Sequence, residues 1–157
     1  MFMLSLLAVI LFAAAPSPSD ADPQPSPSLS PEQVIRLQVE ALQRNDQPRP
    51  DAGIEVAFRF ASPANKQATG PLGRFTQMVK GPAYRAMLGF ERAEYGPIRV
   101  QGDRAAQRVT LVQPDGQRVS YVFGLSKQTS GTYEGCWMTD SVMRDAQQAR
   151  TNGVRKT

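Results

Sequence analysis

The apolar positions of this chain change period once. Up to about residue 88 they recur every three or four residues. From Phe90 onward they alternate every second residue. The first regime predicts helices and the second predicts strands. The earliest helix has the clearest start. Ser30 stands at the N-cap, Pro31 at the first helical position and Gln33 at the third, a Ser-x-x-Gln capping box. Leu29 and Val34 can close a hydrophobic staple over it. Ile35, Val39 and Leu42 then share one face. Asn45 and Asp46 end the run, and Pro48 and Pro50 prevent its continuation. Asp51 is positioned to cap a second, short helix with Ile54, Phe58 and Ala61 as its buried stripe. Ser62-Pro63 stops it, and Ser62 can cap a further turn through Asn65. Gly70-Pro71 opens another helix carrying Leu72, Phe75, Met78 and Val79, closed by Gly81-Pro82. Residues 83–88 fit either a helical turn or extended chain.

In the second regime Ala105, Gln107, Val109 and Leu111 alternate with polar neighbours, and so do Val119, Tyr121, Phe123 and Leu125. Pro114-Asp115-Gly116 between the two runs predicts a hairpin. A last strand is expected over Thr132 to Met138, followed by a short helix starting at Asp140 and Ser141. Helices first and then an antiparallel sheet make an α+β fold. The expected form is N-terminal helices on one face of a sheet of about four strands, cone-like in outline. In the last strand neighbouring side chains take opposite faces. Cys136 and Met138 are expected to face the helices. Trp137 is expected on the outer sheet face, where it would suit a homodimer contact.

Ahead of this pattern, residues 2–15 form an apolar run too short for a comfortable membrane span of about 20 residues, and of signal-peptide length. Ser19-Asp20-Ala21 places small residues where a signal peptidase reads. The expected organisation is a signal peptide over 1–21, a disordered Pro/Ser-rich tether over 22–29, one domain over 30–143 and a C-terminal tail over 144–157. That reading makes the protein secreted or periplasmic, touching a membrane only in transit through its signal segment. The alternative is an uncleaved N-terminal anchor, since no Lys or Arg precedes the apolar run.

Composition narrows the chemistry. Among 157 residues there is no histidine and one cysteine, Cys136. Ser-His-Asp and Cys-His catalysis, histidine bases and histidine metal ligands are therefore absent, and an internal disulfide is impossible. No metal or cofactor is expected. The net charge is +4, with Lys and Arg scattered singly, so no nucleic-acid partner is expected either. Asn45, Asp46 and Asp51 fit capping and turn roles better than a calcium loop.

Several phrases carry a more specific signal. These are Ala41-Leu42-Gln43-Arg44-Asn45-Asp46, Asp51-Ala52-Gly53-Ile54, Phe60-Ala61-Ser62-Pro63-Ala64-Asn65, Thr69-Gly70-Pro71-Leu72-Gly73-Arg74-Phe75 and Gly135-Cys136-Trp137-Met138-Thr139-Asp140. In that order they resemble the family called domain of unknown function 4864, over about residues 33–143. The element order is similar to the cystatin-like cone of the nuclear transport factor 2-like superfamily. The family resemblance implies a fold and brings no activity, cofactor or catalytic residue. Cones of this type often hold a pocket between the helices and the concave sheet face. For such a pocket the candidate ligand-binding residues are Tyr84, Arg85, Tyr95 and Tyr121, with Glu94 or Asp103 as a base. Arg85 would clamp an anionic group. The function expected first is a non-catalytic binding or assembly module for a small apolar or anionic ligand. The alternative is a pocket enzyme of isomerase or dehydratase type using a carboxylate and tyrosines. A structural dimer without any ligand is the third possibility.

Overall fold

The capping box closes as its spacing requires. Ser30 Oγ accepts from the Gln33 N–H at 3.2 Å, and Gln33 Oε1 accepts from the Ser30 N–H at 2.8 Å. This starts α1, Pro31–Gln43, in the computed structural model of the chain. The structure describes residues 22–145. The expected signal segment, its cleavage point and most of the expected C-terminal tail lie outside the described residues. Of the expected tether, Leu29 packs against the core, and Arg59 donates to the Pro23 carbonyl at 3.1 Å and to Asp22 at 3.2 Å.

Three further helices follow: α2, Ala52–Phe60; α3, Pro63–Thr69; and α4, Leu72–Lys80. Residues 83–88 resolve into a short 3-10 turn at Arg85–Met87. Ser62 caps α3 through the Asn65 N–H at 3.2 Å. Asp51 precedes α2, but its side chain caps nothing: its backbone is left-handed, with φ of 64°. The capping oxygen comes from Asn45, whose Oδ1 accepts from the Ile54 N–H at 3.0 Å. The buried stripe of α2 also differs from the expected one. Ile54, Val56, Ala57 and Phe60 are buried, whereas Phe58 is half-buried against Phe75, with ring centroids 5.1 Å apart. The helix touches both α1 and α4, so burial wraps around it and no single face defines its inside.

The sheet has five antiparallel strands and is not closed: β1, Arg92–Tyr95; β2, Arg99–Gln101; β3, Arg104–Val112; β4, Arg118–Lys127; and β5, Trp137–Arg144. The spatial order is β1-β3-β4-β5, with β2 also pairing β3. The fold is α+β, with helices before strands. The inner sheet face presents Ala105, Val109, Leu111, Val119, Tyr121, Phe123 and Leu125 to Val34, Ile35, Val39, Ile54 and Phe60 of the helices. Each fully buried Val, Leu, Ile or Phe side chain among them contributes about 1.5–3 kcal/mol.

The last strand departs from expectation twice. It begins at Trp137, because residues before it turn: Gly131 and Gly135 both have φ of 80°, a conformation that interrupts extended chain. It then runs on through Asp140 and Ser141, where a helix start was expected. There β5 satisfies the edge of β4, and a bulge at Gly124/Leu125 absorbs one residue. The register pairs Leu125 with Thr139 and Lys127 with Trp137, so Trp137 shares the inner face. It is buried in the core cluster and does not cover the outer face. Cys136 and Met138 are buried as well. Among the described residues no helix is long and apolar enough to cross a membrane.

Candidate functional site

The start of α3 docks on the free edge of β5. The Ser62 N–H donates to the Thr139 carbonyl at 2.9 Å, and the Asn65 side-chain amide donates to the same oxygen at 3.0 Å. From the opposite side α1 sends Gln38, a polar residue on its buried face. Its Nε2 donates to Thr139 Oγ1 at 2.8 Å and to the Val34 carbonyl at 3.0 Å, and the Thr139 hydroxyl returns a bond to Gln38 Oε1 at 3.2 Å. These contacts hold α1, α3 and β5 together through amides and hydroxyls.

An open cavity of about 680 Å³ lies between α2, α3, α4 and β5. Its walls are apolar, with Leu42, Ala57, Phe75, Val79, Met87, Phe123 and Val142 among them. Ala64 and Ala68 of α3 line it with exposed side chains. Its buried polar lining is the Gln38–Thr139 pair and Ser62. Two charged residues reach it, Arg104, which is exposed, and Asp140, which is partly exposed.

The four candidate ligand residues fall in three places. Tyr84 and Tyr121 stack, with centroids 6.1 Å apart. Tyr84 lines the cavity and donates its hydroxyl to the Val142 carbonyl at 3.0 Å. Tyr121 is fully buried, and its hydroxyl donates to the Ala83 carbonyl at 2.8 Å. Burial pushes that hydroxyl above its ordinary pKa. Arg85 is exposed and borders a separate surface hollow with Pro82, Gln113 and Arg144. Tyr95 lies half-buried under Arg36, whose guanidinium is 4.1 Å from the ring centroid; burial raises this hydroxyl too.

Neither suggested base joins the tyrosines. Glu94 pairs with Thr110, on the face away from the core, where Arg92 and Arg118 both bind its carboxylate. The Arg118 hydrogen bond, first, holds it below the usual carboxylate range. Asp103 is exposed in the β2–β3 turn, where its backbone carbonyl accepts from the Lys127 N–H at 2.8 Å. Cys136 is buried, and burial pushes its thiol up, away from thiolate reactivity.

The lining residues that sequence reasoning missed are Gln38, Ser62, Asn65 and Thr139. Gln38 carried a signal, since it interrupts the apolar stripe of α1 between Ile35 and Leu42. The other three sit inside the phrases Phe60-Ala61-Ser62-Pro63-Ala64-Asn65 and Gly135-Cys136-Trp137-Met138-Thr139-Asp140. Those two phrases meet in space at the Ser62–Thr139 hydrogen bond. The family model described as domain of unknown function (DUF4864) matches residues 28–150. The chain belongs to the DUF4864 family. No curated protein and no solved structure matches it. In this DUF4864 domain the cavity beside the meeting phrases is the candidate site.

Proposed function

We propose that this DUF4864 domain is an exported, non-catalytic binding module that takes a small, largely apolar ligand into the cavity between its helices and β5. The observation that carries the reading is the character of that cavity. At about 680 Å³ it falls within the roughly 300–1,000 Å³ typical of ligand sites. Its buried lining is apolar or made of amides and hydroxyls already bonded to one another. We read helices followed by an open antiparallel sheet as a cone of the nuclear transport factor 2-like kind, and that reading rests on element order alone. Carboxylate-and-tyrosine chemistry would need a base near the Tyr84 hydroxyl. Glu94 lies on the other face of the sheet under two arginines. Asp140, the carboxylate that does reach the cavity, makes no hydrogen bond with the Tyr84 hydroxyl, which is bonded to the Val142 carbonyl. Both observations disfavour the enzyme reading.

Thermal unfolding with 1-decanol as a neutral probe tests the binding role. A ligand that binds only the folded state raises the midpoint with its concentration. The expected result is such a rise in the unaltered protein and its loss in Ala68→Trp, which plugs the cavity from an exposed helical position. A midpoint unmoved by decanol in the unaltered protein would refute the proposal.

A further inference from the structure

The outer sheet face carries five arginines on β1 to β4: Arg92, Arg99, Arg104, Arg108 and Arg118. Three of them have acidic partners. Arg92 and Arg118 share Glu94, and Arg108 pairs with Asp145 at 2.6 Å. Arg99 and Arg104 have no acidic partner among the described residues. The register sets Arg99 opposite Ala106 and Arg104 opposite Gln101, which makes the two arginines diagonal neighbours on one face. Diagonal neighbours sit about 7–8 Å apart, close enough for two long side chains to converge on one anion.

Beside them lies a hollow of about 430 Å³ floored at the β4–β5 bulge by Gly124 and Ser141. A side chain at residue 124 would crowd this floor, since a Cβ there would fall 2.9 Å from Ser141 Oγ. Arg104, Asp140 and Ser141 line this hollow and the large apolar cavity alike. The two spaces therefore meet at the bulged stretch of β5. One is apolar and the other carries two unpaired guanidinium groups.

Building on the binding role proposed above, we infer that the ligand is an anionic amphiphile. Its hydrocarbon part lies in the apolar cavity. Its carboxylate, phosphate or sulfate head sits over the bulge against Arg104 and Arg99. A guanidinium presents paired N–H donors that match such oxyanions. Asp140 is the one carboxylate at the junction, and it makes no ion pair with either arginine. It therefore opposes the head group without cancelling both cations.

Titration calorimetry on the full chain at low salt, with decanoate, 1-decanol and inorganic phosphate as probes, tests this. Decanoate is expected to bind at least tenfold more tightly than decanol, and phosphate alone more weakly than decanoate. Arg99→Gln, which lies outside the apolar cavity, is expected to weaken decanoate about fivefold and leave decanol unchanged, the scale of a partly exposed charge pair. Arg104→Gln, which lines both spaces, is expected to weaken decanoate about fivefold more than it weakens decanol. Asp140→Asn is expected to strengthen decanoate. Equal affinity for decanoate and decanol would overturn the anionic head while leaving the cavity's binding role standing. Phosphate binding as tightly as decanoate would replace the amphiphile by a free anion and overturn the inference, as would an Asp140→Asn variant that binds decanoate less well. If no probe binds, both readings fall. Both arginines are exposed, so their variants should melt like the parent protein.

Discussion

At the scale of single residues, one buried amide joins α1 to α2. Asn45 caps Ile54 with its Oδ1, and its Nδ2 reaches Asp46 at 2.9 Å and Asp51 at 3.2 Å. Asn45→Ala is expected to cost about 1–2 kcal/mol in urea unfolding, the scale of a lost cap plus a buried polar group left unpaired. Sequence reasoning assigned this cap to Asp51, the residue directly before the helix. The left-handed backbone at Asp51 turns that carboxylate to Lys80 at 2.8 Å, so the cap comes from six residues upstream, where no local pattern marks it. Titration follows from the same residues. Asp51, bonded first by Lys80 and then by Asn45, and Glu94, bonded first by Arg118, have folded pKa values below their unfolded ones. Their contribution is complete above the unfolded values, near 3.8 and 4.5, and is lost as pH falls through the folded ones. Cys136, Tyr95 and Tyr121 are shifted upward by burial. Their contribution is complete below about pH 9 and is lost as pH rises through the raised values. With no histidine in the chain, urea midpoints are expected to be level between about pH 5 and 8. A step near pH 6.5 would contradict that expectation.

At the scale of elements, α1 and α2 approach so closely that their contact excludes a methyl group. A Cβ on Gly53 would lie 2.1 Å from the Ala41 carbonyl oxygen and 2.9 Å from Asn45 Cα. Both are backbone atoms that cannot swing aside. Gly53→Ala is therefore expected to destabilise by about 3 kcal/mol, by forcing the helices apart. Ser30→Ala should cost about 1 kcal/mol, since it removes half of a closed capping box. Calorimetric unfolding of both variants checks these values. The contrast also shows what local sequence expresses. Ser30-Pro31-Glu32-Gln33 announces α1 by itself, and the alternation in β3 and β4 announces the hairpin. The buried side of α2 cannot be read this way, because α1 and α4 enclose it from two directions. Nor can the path of β5, because the Gly135 turn and the open edge of β4 override the helix signal at Asp140.

At the scale of the whole molecule, the order of helices and strands was legible from one change of period, but the candidate site was not. Tyr84 and Arg85 are sequence neighbours that the 3-10 turn sends to different surfaces. Gln38 and Thr139 are far apart in sequence and meet only because α1 and α3 both close on β5. Charge on the outer sheet face also speaks to assembly. A second copy docked there would bring the arginine-rich faces into opposition. Light scattering at low salt is expected to give a monomer, and a stable dimer lost on adding salt would contradict this. Finally, two carbonyls on the free side of β5 are claimed. Thr139 accepts from Ser62 and Asn65, and Val142 accepts from the Tyr84 hydroxyl. A sheet margin with open acceptors recruits strands from other molecules and seeds aggregates. The Tyr84 hydroxyl is thus a guard on solubility. Tyr84→Phe, which keeps the ring and frees the Val142 acceptor, should shorten the lag before turbidity in concentrated solution.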